Sequence, residues 1–282
     1  MNYKDAKRGL PQRDSKVLAV INQKGGVGKS TTVVNLSACL GEGKKKVLVI
    51  DFDPQGNSTS GFGVEKDELE HDIYDVILHD EPIENVIQET CQSNVFIVPA
   101  TIQLATAEIE LVSAMARESI LKDAISAIRD EFDYVFIDCP PSLGLLTINA
   151  LVAADALIIP IQCEYYALEG VAKLLESMQM VKRRMNPNLE IFGVVMTMFD
   201  SRTTLSKQVV DEVQAYFGKK VFKTVIPRNV KLSEEPSHGL PVSLYARVSK
   251  GALASSKLAR EVVARGSEKW TRKRIGIARR RG

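Results

Sequence analysis

Seven short runs of β-branched and other apolar residues punctuate the chain: Val17 to Asn22, Val47 to Asp51, Val95 to Pro99, Tyr134 to Asp138, Ala156 to Ile161, Ile191 to Met198 and Val221 to Ile226. Longer stretches with helical spacing lie between them: Lys29 to Leu40, Leu104 to Met115, Glu118 to Asp130, Leu168 to Arg184, Thr204 to Phe217 and Gly251 to Arg265. The short runs are apolar throughout rather than alternating, as strands covered on both faces should be. The pattern therefore predicts βαβ units in an α/β fold, a doubly wound and mostly parallel sheet with helices on both faces. No internal repeat or low-complexity linker interrupts the middle of the chain. The 282 residues can bury one substantial core, so the expected division is a flexible N-terminal lead over 1–16, one large domain over 17–266 and a basic tail over 267–282.

Charge adds a second layer. The net value of +2 conceals +3 over 1–16, −15 over 17–181, +8 over 182–266 and +6 over 267–282. An acidic half joined to a basic one predicts a face that binds a polyanion, although solvated charge without a partner would give the same count. Cys39, Cys91, Cys139 and Cys163 lie far apart in or beside apolar stretches, which predicts buried thiols rather than disulfides or a metal site. His71, His79 and His238 are scattered without ligand spacing and read as surface or structural residues. No apolar run is long enough to span a bilayer and the polar N-terminus has no signal-peptide core, so the expectation is a cytoplasmic protein.

The strongest chemical signal follows the first strand, where Gln23-Lys24-Gly25-Gly26-Val27-Gly28-Lys29-Ser30-Thr31 runs straight into a helix. Phosphate oxygens need several converging N–H donors. Glycines let the backbone turn and approach, and the helix directs its own unpaired N–H groups and dipole toward the anion. This is a P-loop, with Lys29 on the β and γ phosphates of ATP and the Ser30 hydroxyl on Mg²⁺. The loop departs from the standard motif at its start, where Gln23 replaces the first glycine and Lys24 adds a second lysine. Strands two and four end in Asp51-Phe52-Asp53-Pro54-Gln55-Gly56-Asn57 and Asp138-Cys139-Pro140-Pro141, which brings carboxylates to the edge where open α/β sheets place ligands. By itself the first of these could equally be only a turn.

The K-G-G-x-G-K-[ST] loop resembles the deviant Walker A P-loop of the ParA/MinD ATPases. From Val17 to about Gly266 the chain is similar to the chromosomal Soj branch of the ParA family, including Pro99-Ala100-Thr101-Ile102-Gln103-Leu104, Gln162-Cys163-Glu164-Tyr165-Tyr166-Ala167-Leu168-Glu169-Gly170 and Ile226-Pro227-Arg228-Asn229-Val230-Lys231-Leu232-Ser233-Glu234. The resemblance implies that Lys24 reaches the phosphates of a partner subunit across a sandwich homodimer. Gly25 would then face the partner's loop so closely that a larger side chain blocks closure. It implies that Asp53 positions the attacking water, that Asp51 supports the Mg²⁺ shell, that Asp138 is the Walker B residue, and that Pro227 and Asn229 hold the adenine. Lys24, Lys29 and Asp53 are thus the expected catalytic set, and Gly25, Gly26, Val27, Gly28, Ser30 and Thr31 complete the phosphate cradle.

The same resemblance implies ATP-dependent binding to nonspecific double-stranded DNA, hydrolysis stimulated by a ParB-type centromere-binding protein, and association with the nucleoid. Arg202 matches a DNA-binding position. Lys231 stands where relatives commonly carry Arg, which keeps the charge but loses the bidentate fork. Lys207, Lys250, Lys257 and Arg260 could extend the patch. The tail, with Trp270, Arg272, Lys273, Arg274, Ile275, Ile277 and Arg279 to Arg281, is either a further DNA-gripping arm, a short membrane anchor like the terminal helix of MinD relatives, or a segment without special role. Gly276 and the few apolar residues argue against insertion, so a membrane partner is not expected. An iron–sulfur electron carrier on this P-loop would need cysteines in a glycine-rich setting that the chain lacks. A scaffold without turnover would not need Lys24, Lys29, Ser30, Asp53 and Asp138 together.

Overall fold

The computed structural model describes the backbone of residues 13–278, and side chains as far as Ser267 apart from Glu169, Glu235 and Pro236. Residues 1–12 of the expected lead, the side chains of 268–278 and residues Arg279 to Arg281 lie outside what it describes. Eight strands, β1 (Lys16–Val20), β2 (Val47–Asp51), β3 (Gln88–Glu89), β4 (Val95–Val98), β5 (Tyr134–Asp138), β6 (Ala156–Gln162), β7 (Glu190–Phe199) and β8 (Val221–Pro227), form one sheet in the order β3-β4-β2-β5-β1-β6-β7-β8. All neighbours are parallel except the β3–β4 pair at one edge. Among the described residues twelve α-helices accompany them: α1 (Lys29–Glu42), α2 (Asn57–Gly61), α3 (Ile73–Leu78), α4 (Ile83–Val86), α5 (Leu104–Glu110), α6 (Ile120–Ser126), α7 (Leu145–Ala153), α8 (Glu169–Arg184), α9 (Thr204–Phe217), α10 (Val230–His238), α11 (Val242–Tyr245) and α12 (Lys250–Ala278).

Successive residues of β1 enter different cores, the physical signature of a strand covered on both faces. Val17, Ala19 and Ile21 join a cluster with residues of α3 to α9, whereas Leu18 and Val20 join one with residues of α1, α11 and α12. The sheet is thus doubly wound, as its uniformly apolar strands predict. β1 lies between β5 and β6, so its C-terminal end opens at the place where the chain's connections diverge to opposite sides, the usual location of a ligand crevice.

The differences from the sequence-based expectation have local causes. Helix α7 has no amphipathic signal because it is buried nearly all round, with Leu146, Thr147, Asn149, Ala150, Leu151, Val152 and Ala153 inside. The helices expected over Leu104 to Met115 and Glu118 to Asp130 are shorter, ending at Glu110 and Ser126, and Ala116 between them takes a left-handed φ of 51°. Helix α12 continues to Ala278, so the boundary expected at 266 is not a break in secondary structure. The expectation of four buried thiols is corrected: Cys139 and Cys163 are buried, but Cys39 is half-buried and Cys91 is exposed. Among the described residues no helix is long and apolar enough to cross a membrane.

Candidate nucleotide site and basic surface

The loop between β1 and α1 is held open by its neighbours. Thr197 on β7 donates its hydroxyl to the Val27 carbonyl at 2.8 Å, and Asn22 donates to Pro160 O at 2.7 Å while accepting from the Lys24 N–H at 3.0 Å. Gly26 and Gly28 take φ of 71° and 85°, a region costly for residues with a side chain. Gly28 caps α1, whose first turn carries no acidic residue, so its N–H groups and dipole face an anion without internal competition. The Lys29 ammonium donates to Lys24 O at 3.3 Å, and burial lowers its pKa against the opposing pull of Asp138 and Asp53. A partly dehydrated ammonium at a helix N-terminus is prepared for a phosphate. Gly25, Gly26, Gly28, Lys29, Ser30, Thr31, Asp53, Gln55 and Asn57 line a cavity of about 350 Å³ at this point.

Behind the loop, β2 and β5 bring Asp51 and Asp138 into register beside one another, both fully buried. Burial raises both carboxyls above their usual range, and for Asp51 the nearby Asp138 adds to the effect. Asp138 accepts from the Ser58 hydroxyl at 2.7 Å and from the Ser30 side chain, while its Oδ1 is buried without a hydrogen-bond partner. An orphaned carboxylate oxygen next to the P-loop serine suits a divalent cation, which in such sites is shared with nucleotide oxygens and water. Among the described residues no group of three His, Cys, Asp or Glu side chains could hold a metal on its own. Asp51, expected to support the Mg²⁺ shell, lies beside Asp138. Its Oδ2 accepts from Thr59 N and Oγ1, both at 2.7 Å, and its Oδ1 from Asp53 N at 3.3 Å, so it braces the loop that carries Asp53. Asp53 accepts from Gln55 N at 3.0 Å and lines the phosphate cavity.

A second cavity of about 360 Å³ adjoins the first through Gly28, Thr31 and Met198, and is lined by Ile226, Pro227, Arg228, Asn229, Leu232 and Ser233. Its apolar wall and single amide suit a purine base. Asn229 caps α10 by accepting from Lys231 N at 2.8 Å, which leaves its amide donors available. Ser58, Thr59, Thr197 and Met198 were not singled out in the sequence. The first two follow the Asp-x-Asp run directly and could have been read from it, whereas the last two are hidden in the apolar run of β7.

Lys24 and Gly25 stand at the outer edge of the loop. A methyl group placed on Gly25 would meet no atom within 4 Å. Lys24 forms an ion pair with Glu164 from the loop after β6. The basic candidates lie elsewhere: Arg202 at the β7–α9 junction, Lys231 in the first turn of α10, and Lys250, Lys257 and Arg260 exposed on α12. Gly251 packs against Leu232, which sets the start of α12 beside α10 and brings Lys250 to the same end of the molecule as Lys231.

An AAA-domain family matches residues 15–191. The sporulation initiation inhibitor protein Soj of Bacillus subtilis is 55% identical over 251 residues, covering 89% of this chain and 99% of that protein. The chromosome partitioning protein ParA of Myxococcus xanthus is 48% identical over 260 residues, covering 92% of each. Among solved structures, a Mycobacterium smegmatis protein described as cobyrinic acid a,c-diamide synthase, with bound ADP and magnesium, superposes with a TM-score of 0.78 at 38% identity, covering 88% of this chain and 94% of that one. The septum site-determining protein MinD of Pyrococcus horikoshii with Mg-ADP gives a TM-score of 0.71 at 27% identity, covering 88% and 96%.

Proposed function

The chain belongs to the ParA/Soj family of chromosome-partitioning ATPases, and from that membership we propose that Mg-ATP closes two copies into a sandwich dimer that binds nonspecific duplex DNA. It is a P-loop ATPase that uses ATP and Mg²⁺. The dimer is supported above all by the edge of the P-loop. Lys29 and the glycines suffice to surround a phosphate group, yet a second ammonium, Lys24, pairs with Glu164 beside a glycine on which an added Cβ would meet no described atom within 4 Å. A partner's phosphates would draw Lys24 away from Glu164, which ties catalysis to association as an arginine finger does.

In this cycle Lys29, the Gly26–Gly28 amides and the first turn of α1 hold the β and γ phosphates, while Pro227 and Asn229 hold the base. Ser30 and Asp138 would hold Mg²⁺, which would supply charge neutralisation to the phosphate oxygens. Asp53 orients a water for in-line attack on the γ phosphorus, the bond to the bridging oxygen breaks, and ADP leaves with the interface weakened. Arg202, Lys231, Lys250, Lys257 and Arg260 contact DNA phosphates, and a ParB-type centromere-binding partner accelerates hydrolysis and thereby release. The names of the relatives support partitioning as the purpose, with the protein held on the nucleoid while ATP is bound.

The test uses three variants. Lys29→Ala removes the buried ammonium and is expected to lower ATP affinity by at least about a hundredfold. Asp53→Ala should keep ATP binding and dimerisation while turnover falls about a hundredfold or more, giving a stable dimer in light scattering. Lys24→Ala should bind ATP as a monomer. Wild-type turnover by Asp53→Ala would refute its catalytic role.

A further inference from the structure

Two of the five cations assigned to DNA, Arg202 and Lys231, are paired with carboxylates. Arg202 has a side chain 85% exposed, yet one edge of its guanidinium, the Nε–Nη2 fork, is engaged. Its Nε donates to Asp200 Oδ1 at 2.9 Å and its Nη2 to Asp200 Oδ2 at 2.6 Å, while its backbone N–H donates to Oδ1 at 3.0 Å. Two parallel bonds from one fork are the geometry with which a guanidinium takes a phosphate. Asp200 is itself firmly placed at the end of β7: its N–H donates to Ser206 Oγ at 3.3 Å, and its carbonyl accepts from Thr203 N and Oγ1 at 3.2 and 3.1 Å. The hydrogen bonds from Arg202 hold the Asp200 carboxyl below the usual carboxylate range, and the charge of Arg228 pulls the same way. The arrangement recurs on α10. Lys231 Nζ donates to Glu234 Oε2 at 2.9 Å and to Tyr245 Oη at 3.1 Å, and the Tyr245 hydroxyl donates to the same Oε2 at 2.8 Å.

We infer that Asp200 and Glu234 are built-in competitors for DNA phosphates, carboxylates that occupy Arg202 and Lys231 until a phosphate replaces them. This rests on the DNA-binding reading of those two cations. Exposed ion pairs are weak in salt solution, so the carboxylates are displaced readily when many phosphate contacts form together. A lone protomer offers two such pre-occupied cations and gains little from DNA. A dimer offers four at once, and counterion release rises with the number of cations engaged. Asp200 and Glu234 thus lower DNA affinity in both states and hold a lone protomer off DNA, at a larger total cost in the dimer, which displaces four carboxylates rather than two.

Full-length wild type, Asp200→Asn, Glu234→Gln, Arg202→Ala and the double variant Asp200→Asn with Arg202→Ala are compared for binding to a labelled random-sequence duplex. Measurements are made without nucleotide and with ATP and Mg²⁺, between about 50 and 200 mM salt. Asparagine keeps an oxygen for the Arg202 N–H, so the turn survives, which thermal unfolding verifies. Asp200→Asn is expected to tighten nucleotide-free binding about three- to tenfold and binding with ATP by at least as much, with Glu234→Gln acting alike. The gain from Asp200→Asn should shrink below about twofold once Arg202 is alanine. A gain undiminished in the Arg202→Ala background would mean only long-range charge and overturn the inference, as would wild-type binding with ATP that Asp200→Asn leaves unchanged in every state. Failure of every variant to bind DNA in any state would contradict this inference and the DNA reading together.

Discussion

Two glycines near the phosphates have opposite requirements. Gly56 takes φ of 59°, and a side chain there would lie 2.6 Å from Ala100 O and from the Lys66 ammonium, in the turn that delivers Asp53. Gly56→Ala should therefore strain the isolated chain, with a loss of about 1–3 kcal/mol in denaturant unfolding and of most turnover. Gly25 has no positive φ and no neighbour within 4 Å. Gly25→Val should leave thermal stability and ATP binding within about twofold of wild type while abolishing the ATP-dependent rise in mass. If Gly25→Val also unfolded the monomer, the glycine would be structural and the argument for a facing subunit would lose its main support. The P-loop was legible from the Gly-Lys-Ser spacing because phosphate binding is a local backbone property, whereas the role of Gly25 came from the family resemblance and that of Gly56 from neither. The Lys24–Glu164 pair was not, since it joins loops that only the sheet order makes neighbours.

At the scale of elements, the strands were easy to read and some helices were not. Burial on both faces makes a parallel strand uniformly apolar, so β1, β2, β4, β5, β6, β7 and β8 stand out of the sequence. The same burial erases the periodicity of α7, and a two-residue strand such as β3 carries no pattern. Support for the P-loop comes from the β7 end, where Thr197 lies buried within an apolar run and betrays no function until the sheet places it against Val27. Thr197→Val should leave the Val27 carbonyl short of a partner in a dry site, which weakens ATP binding about tenfold in calorimetry with little change in fold. An unchanged affinity would show that the loop holds its shape without β7.

For the whole molecule, the two charge regimes of the sequence become two regions of one body. The acidic half supplies the strand ends that carry Asp51, Asp53 and Asp138, and the basic third supplies the β7–α9 junction, α10 and α12. Helix α10 belongs to both regions, since Asn229 caps it beside the second cavity and Lys231 stands in its first turn, so the proposed nucleotide and DNA contacts are mechanically close. The central claim is that ATP converts this body into a paired DNA-binding surface. The most direct measurement is binding of Asp53→Ala and Gly25→Val to a nonspecific duplex with ATP and Mg²⁺, with ADP, and without nucleotide, across a salt series. Asp53→Ala should bind only with ATP, its affinity falling steeply as salt rises, and Gly25→Val should bind weakly throughout. Equal binding in all three nucleotide states, or equal binding by the two variants, would contradict it.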